Sequence, residues 1–285
     1  MSKDNKPVQG DLFIQGHLTG AEPARPVEKS SAPAFGGTVK PYIHSGSSAK
    51  TLALEWLAAI IPAFALYLYN DTSQLTTAVC TVAGSVLAKI LWRKAGLVEN
   101  GRSLIYAVYN GLLAAILLPH GTAWWLAISG MFIAVSLTSL SLYKFRVRLL
   151  NPALLAAAVA SLMYPFSFRS APGIEMPLLV VLAGGALFLA LTRAITLLPS
   201  LIVIIVMAAG RLLAVSVAIP IATANVAAVL FLIPDYDNSP MVLRAKVLQA
   251  LIVSMLALSL TAWTNLAAPL LIAILAGALI TPFLE

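Results

Sequence analysis

Six polar residues, placed in turns and near the ends of apolar runs, are the side chains of this sequence best suited to hold a ligand. Three are asparagines and three belong to one polar turn: Asn110, Asn151, Asn225, Asp235, Ser239 and Arg244. Their amide, carboxylate, hydroxyl and guanidinium groups can fix a polar cofactor by hydrogen bonds. The turn also has a simpler explanation, because Asp, Asn, Ser and Pro favour turns and helix starts. We treat the six as candidate cofactor-binding residues and assign no catalytic residue.

The sequence lacks the usual catalytic and metal-binding motifs. His17, His44 and His120 lie far apart without helical metal-ligand spacing, which argues against haem b ligation within the chain. Cys80 is the single cysteine, so the chain alone cannot form a disulfide or a cysteine-ligated cluster. The serine nucleophile elbow, the phosphate-binding loop and the zinc-protease helix are also absent. Hydrolysis and phosphoryl transfer are therefore not expected.

Two charged residues fall inside apolar segments, where a charge is costly. Glu55 lies about one turn from the predicted cytoplasmic end of its helix, so contact with water is the simpler explanation. Arg211 lies near the outer end of its helix, where snorkelling and contact with an ion or cofactor both fit. Neither residue identifies an activity.

The composition is that of a membrane protein. Of the 285 residues, 60% are hydrophobic and 10% are charged, and the mean hydropathy is +0.92. In a soluble domain roughly a quarter of the residues are charged, so a soluble globular enzyme is excluded. The net charge of +7 does not indicate nucleic-acid binding, because the basic residues form no exposed stripe.

Polar residues are concentrated at the N-terminus. Residues 1–46 contain Pro, Gly and Ser without apolar periodicity, which predicts a mobile cytoplasmic tail that ends in a short docking segment. Residues 47–285 predict a transmembrane domain. No signal-peptide apolar region precedes it, so its first helix is expected to act as the insertion signal.

Ten apolar segments predict membrane-spanning helices, although the fifth is short. Their ranges are 51–70, 74–92, 103–119, 122–142, 151–164, 176–196, 198–217, 219–234, 244–263 and 265–283. An even number of crossings places both termini on one side. With both termini in the cytoplasm, the opposite loops receive only Arg169, as the positive-inside rule favours. The basic residues at the cytoplasmic ends are Lys89, Arg93, Lys94, Arg102, Lys144, Arg146, Arg148, Arg193, Arg244 and Lys246.

The two halves of the chain share a spacing. In each half an asparagine precedes a proline by nine residues, and a second asparagine follows the first by 41 or 40 residues. These residues are Asn110, Pro119 and Asn151 in the first half, and Asn225, Pro234 and Asn265 in the second. Five helices per half would make the repeat inverted, an arrangement that places polar sites near the membrane midplane. Chance is the alternative, because Asn and Pro are common at helix ends.

Five short segments follow one another in the order found in one family of membrane proteins. They are Pro41-Tyr-Ile-His-Ser-Gly-Ser-Ser48, Gly111–Pro119 with Trp124-Trp125, Asn151-Pro-Ala153 with Pro165, the turn Asp235–Arg244, and Ala278–Glu285. Together they resemble the RnfD/NqrB family, whose members are membrane proteins of the Rnf complex and of the sodium-pumping NADH:quinone reductase. The resemblance runs from about Pro41 to the C-terminus. It implies an all-α polytopic membrane fold, with a 5+5 inverted repeat and short or broken third and eighth helices.

The resemblance also implies a cofactor that this chain is poorly equipped to attach. Family members carry a flavin mononucleotide esterified to a threonine in the outer loop after the Asn-Pro-Ala helix. Here that loop, Tyr164–Glu175, has no threonine, and Ser170 is a poor substitute. The family's arginine within this helix is replaced by Ala157. We therefore expect no covalent flavin, while the resemblance leaves a noncovalent flavin or quinone open.

Two functions follow from the resemblance. The first is an accessory membrane subunit of an Rnf/Nqr-like electron-transport complex in the bacterial inner membrane. Such a subunit would help electron transfer, with or without ion translocation, and hold other membrane and redox subunits. The alternative is a small-solute channel or transporter, because the family fold is related to that of urea channels. A structural anchor that has lost its redox role is a third interpretation.

Overall fold

The structure of the chain is a computed structural model. It describes residues 49–70, 74–96, 104–119, 121–145, 150–164, 174–192, 194–213, 222–235, 240, 242–264 and 266–284. The predicted tail and its docking segment, residues 1–46, lie outside the described residues. The same holds for Ser239, Ser170 and the three histidines.

The described part of the chain forms ten helices, in agreement with the ten predicted from apolar runs. Their bounds are α1 Ala49–Asn70, α2 Gln74–Lys94, α3 Leu104–Leu117, α4 Trp124–Phe145, α5 Pro152–Met163, α6 Met176–Leu191, α7 Leu198–Leu213, α8 Thr223–Ala227, α9 Leu243–Trp263 and α10 Pro269–Leu284. The helix α8 continues as a π-helical segment, Ala228–Leu232. The predicted sixth helix is shorter than expected, because α6 ends at Leu191.

The surfaces of the helices are apolar, as a lipid environment requires. By length and composition, α2 and α9 each qualify as helices that could cross a membrane, and the other described helices contain apolar segments of 10–17 residues. Large apolar side chains such as Val180 and Met255 are exposed. Trp124 and Trp125 are exposed at the start of α4, where an interfacial aromatic anchor would lie. These features support a polytopic membrane protein.

The helices contact one another within each half of the chain and between the halves. In the first half, α3 contacts α1, α2 and α5, while α4 contacts α2 and α5. In the second half, α8 or its π segment contacts α6 and α7, while α9 contacts α7 and α10. Between the halves, α1 contacts α6, α3 contacts α8, and α5 contacts α10. The helices α3, of 14 residues, and α8, of 5 residues before its π segment, therefore lie beside each other, and α5, of 12 residues, is shorter than α3.

Glycine allows two of these helix pairs to approach closely. A Cβ atom added at Gly185 would lie 2.6 Å from the carbonyl oxygen of Ala59, so α6 and α1 are in backbone contact. A Cβ atom at Gly111 would lie 2.6 Å from the Cα atom of Val82, which brings α3 against α2. Small residues at helix crossings are a common device in membranes, where apolar side chains gain little from leaving the lipid.

Candidate functional site

The start of α5 is built around Asn151. Its side-chain Oδ1 accepts hydrogen bonds from the backbone amides of Ala153 at 2.8 Å and Leu154 at 3.4 Å, so Asn151 is the N-cap of the helix. Pro152 occupies the first helical position, where its fixed φ suits a helix and its missing N–H is no loss. The Asn-Pro-Ala sequence thus sets the helix start by local interactions alone. Asn151 is fully buried.

The side-chain NH2 group of Asn151 joins this helix start to the second half of the chain. Its Nδ2 donates a hydrogen bond of 2.6 Å to Oδ2 of Asp235. The Asp235 side chain is also fully buried, shortly after the end of the π segment. A hydrogen bond contributes about 0.5–1.5 kcal/mol, and leaving a buried donor or acceptor unpaired costs about 1–3 kcal/mol. The pair therefore fixes the end of the α8 segment against the start of α5.

A π-helical segment, Ala228–Leu232, shortly precedes Asp235 in the chain. The backbone amide of Ile233 donates to the carbonyl oxygen of Ala228 at 3.2 Å, five residues earlier, which is the π-helical pattern. The Ser200 hydroxyl of α7 donates to the carbonyl oxygen of Val229 at 2.7 Å. The Ser200 hydroxyl thus provides a hydrogen-bond donor for the Val229 carbonyl oxygen within the π-helical turn. The segment thus has a specific support from a neighbouring helix.

A second buried polar region surrounds Asn110 in α3. Its Nδ2 donates to the carbonyl oxygen of Tyr106 in the same helix at 2.9 Å. The neighbouring Tyr109 ring packs edge-on against Trp56 of α1, with 5.1 Å between ring centroids. Tyr106 lies 5.6 Å from Tyr109 on the same measure. Asn110 thus lies beside an aromatic cluster that joins α1 and α3.

The structure brings together two of the six predicted residues and separates others. Asn151 and Asp235 are in direct contact. Asn225 is half-buried in α8, and Arg244 is exposed in the first turn of α9, on the surface and not within the buried pair. Ser239 lies outside the described residues. The candidate functional site is therefore centred on the Asn151–Asp235 pair.

One polar group in the second half was missed by the sequence interpretation. The Gln249 side chain of α9 donates from Nε2 to the carbonyl oxygen of Gly277 at 3.1 Å and to the Thr281 hydroxyl at 2.8 Å. It also lines a small crevice with Ile233, Ala250, Val253 and Ile274. A glutamine within the apolar run of α9 was the available signal. Its contacts bind α10 to α9 close to the residues that precede Asp235.

Metal binding has no support from the part of the chain that the structure describes. Within those residues there is no group of three or more His, Cys, Asp or Glu side chains that could hold an ion. The polar groups of the buried candidate site itself are the Asn151 amide and the Asp235 carboxyl group. Such groups bind polar molecules by hydrogen bonds.

The first half of the chain matches a known protein family. Residues 37–176, just under half of the sequence, match the model of the NQR2, RnfD, RnfE family. The predicted family resemblance is confirmed over these residues, which contain three of the five segments on which it was based. The family match spans α1 to α5 and includes Asn151, whereas Asp235 lies beyond it. No curated protein matches the chain. The family supports a membrane subunit of Rnf/Nqr-type complexes.

Proposed function

We propose that the chain is an integral subunit of an Rnf/Nqr-like electron-transport complex in the bacterial inner membrane, with both termini cytoplasmic. The match of residues 37–176 to the NQR2, RnfD, RnfE family carries this proposal. The apolar helix surfaces and the buried Asn151–Asp235 pair agree with it. The subunit would hold redox partners and other membrane subunits, and thereby help electron transfer. It would act as an accessory subunit and not as a catalyst by itself.

The proposal includes a 5+5 inverted repeat, which the pattern of helix contacts supports. In such a repeat, a contact between two helices of the first half should recur between the helices numbered five higher. The α1–α3 contact corresponds to α6–α8, and the α2–α3 contact corresponds to α7–α8. Likewise, α2–α4 corresponds to α7–α9 and α4–α5 corresponds to α9–α10, and every one of these pairs is in contact. The contacts between halves join three of the five helices to their own counterparts, as α1–α6, α3–α8 and α5–α10, whereas the α3–α5 contact has no counterpart of similar strength between α8 and α10. A pseudo-two-fold axis between the halves would produce this pattern.

Within this arrangement, we propose that the Asn151–Asp235 pair is the polar joint between the two halves. Asn151 belongs to the first half, and Asp235 belongs to the second. In proteins with inverted repeats, polar sites at the ends of short or broken helices commonly lie where the repeats meet. If the complex couples electron transfer to ion movement, Asp235 is the group of this chain through which we expect the coupling to act.

We further propose that the chain carries no covalent flavin and that any flavin or quinone is held noncovalently. The absence of a threonine from Tyr164–Glu175 supports the first part. Denaturing electrophoresis of the purified protein, viewed under ultraviolet light, tests it. We expect no fluorescent band at the mass of the chain, and a fluorescent band would contradict the proposal.

The complex itself is tested by mild-detergent extraction of the tagged full-length chain from its own membranes. We expect redox subunits to co-purify and the visible spectrum to show flavin or iron–sulfur absorption. Asp235→Asn should reduce electron transfer by the purified complex and leave its subunit composition unchanged. Ser254→Ala is the matched control, because this buried hydroxyl donates to the carbonyl oxygen of Ala250 within its own helix. A colourless homo-oligomer that passes small solutes in liposomes would instead establish the channel.

A further inference from the structure

A proline interrupts the backbone hydrogen bonding of α1 inside its apolar segment. Pro62 lies within Ala53–Tyr69, the apolar part of this helix. Proline has no backbone N–H, so the carbonyl oxygen of Ala58, four residues earlier, lacks the donor that an α-helix normally supplies. At 1.5 Å per residue, Ala58 lies about 8 Å from the start of the apolar segment. The helix therefore leaves one carbonyl group in its apolar segment without its regular donor.

This part of α1 faces away from the helices that contact it. The buried residues Trp56, Ile60 and Ala63 recur every three or four positions, so they form one face of the helix. That face packs on α3 and α6. Ala58 and Pro62 are exposed on the other side. Because lipid offers no hydrogen bonds, a carbonyl group that a proline has freed normally finds its donor on a neighbouring helix.

A carboxylate lies on the same side of α1. Glu55 is half-buried and precedes Ala58 by three residues and Pro62 by seven, a spacing that places all three on one side of a helix. Among the residues that the structure describes, no cation pairs with Glu55. Water at the membrane surface is a partner for Glu55 alone, because Ala58 lies deeper in the apolar segment. A single partner for both groups must therefore be positively charged and rich in hydrogen-bond donors.

The side chains around these two groups suit another membrane helix. Leu54 and Ile61 are 52% and 48% exposed, and Ala65 is exposed as well. Apolar side chains gain little by leaving lipid, so polar contacts and close approach decide which membrane helices associate. The small side chains of Ala58 and Ala65 allow another helix to come near the Ala58 carbonyl group. An apolar helix with one basic residue is complementary to this surface, since such a residue is costly in lipid unless it is paired.

We propose that the exposed side of α1 binds a membrane-spanning helix of a partner subunit, through an arginine or lysine of that helix. The basic side chain pairs with the Glu55 carboxylate and donates a hydrogen bond to the Ala58 carbonyl group. Leu54, Ile61 and Ala65 contact the apolar side chains of the partner helix. The inference rests on the proposed membership of the chain in a multi-subunit complex, and it adds the surface and the chemistry of the partner.

Photocrosslinking in native membranes tests where the partner binds. Benzoylphenylalanine replaces Leu54 or Ala65 in the tagged full-length chain, and the cross-linked peptides are identified by mass spectrometry after purification. We expect a peptide from another subunit whose membrane-spanning segment contains an arginine or lysine. The same probe at Met255, exposed on α9, is the control and should not cross-link to that segment. A cross-linked segment without a basic residue, a second copy of this chain, or lipid alone would overturn the proposal.

Two substitutions change the two acceptor groups separately. Glu55→Gln should accelerate dissociation of that subunit from the purified complex about 30-fold, the lower end of the effect of removing one member of an interfacial charge pair. Pro62→Ala returns an N–H to the Ala58 carbonyl group, so it should accelerate dissociation about fivefold, the factor for one typical hydrogen bond. Glu175→Gln is the matched control, because it makes the same chemical change at an exposed position before α6. It should change the rate less than about twofold.

The results separate this inference from the proposed function. Unchanged dissociation with either Glu55→Gln or Pro62→Ala would overturn the proposed contact. Equal acceleration by Glu175→Gln would show a general effect of charge and would also overturn it. If the natural chain retains redox subunits but the probes on α1 cross-link to none of them, the surface is refuted while the proposed function stands. If the natural chain retains no other subunit, both proposals fail.

Discussion

Replacing Asn151 with alanine removes two interactions at once. The change deletes the N-cap of α5, which contributes about 1 kcal/mol in most helices. It also deletes the 2.6 Å hydrogen bond to Asp235 and leaves a buried acceptor without this donor, which costs about 1–3 kcal/mol. We therefore expect Asn151→Ala to lower the free energy of unfolding by about 2–4 kcal/mol.

A serine at the same position separates the two contributions. Asn151→Ser keeps a good N-cap, but its shorter side chain does not reach Asp235. It should therefore be about 1 kcal/mol more stable than the alanine variant and still less stable than the natural protein. Thermal unfolding in detergent, followed by size-exclusion chromatography of the surviving fraction, ranks the three proteins. A difference of about 1 kcal/mol corresponds to about 2–4 °C in midpoint for chains of roughly this size.

The interaction between Asn151 and Asp235 is isolated by a double-mutant cycle. Asp235→Ala removes the oxygen that accepts the bond from Asn151. The loss caused by Asn151→Ala should then be about 1–2 kcal/mol smaller in the Asp235→Ala background. Identical losses in both backgrounds would refute the energetic coupling. Natural stability of the Asn151→Ala variant would refute the entire account of this site.

Two further predictions concern the α6–α1 contact and the support of the π segment. Gly185→Ala should destabilise the protein by about 1–3 kcal/mol, because the new methyl group would meet the backbone of α1. Gly184→Ala is the control and should be nearly neutral, since a methyl group at Gly184 would face open space. The difference in thermal midpoint between the two variants measures the effect, and equal midpoints would contradict the backbone contact. Ser200→Ala should cost about 1–3 kcal/mol and increase hydrogen exchange in the π segment, because Val229 loses a hydrogen-bond donor. Ser254→Ala, whose hydroxyl bonds within its own helix, should leave that exchange unchanged, and an increase of the same size in both variants would argue against a specific support.

Local sequence signals predicted the helices and one part of the site. Apolar runs located ten helices, because a membrane-spanning helix needs a nearly continuous apolar segment. The Asn-Pro-Ala sequence predicted a helix start at Asn151, and the structure shows the N-cap bonds. These bonds join residues two and three positions apart, so a short stretch of sequence is sufficient to predict them.

The pairing of Asn151 with Asp235 was not available from local sequence. The two residues are 84 positions apart. Their residue types place both among the six candidate residues but do not indicate that they are in contact. The support of Val229 by Ser200, 29 positions away, was missed as well. Short-range spacing contains no information about which helix ends meet.

The sequence by itself determined that this is an apolar helical chain with an NQR2, RnfD, RnfE family segment, because hydropathy and motif spacing are properties of consecutive residues. Tertiary structure decided which helix faces touch. In helices that are apolar on every side, hydrophobic periodicity does not distinguish the face buried in protein from the face exposed to lipid. Only the packing of helices from different parts of the chain brings the distant Asn151 and Asp235 together.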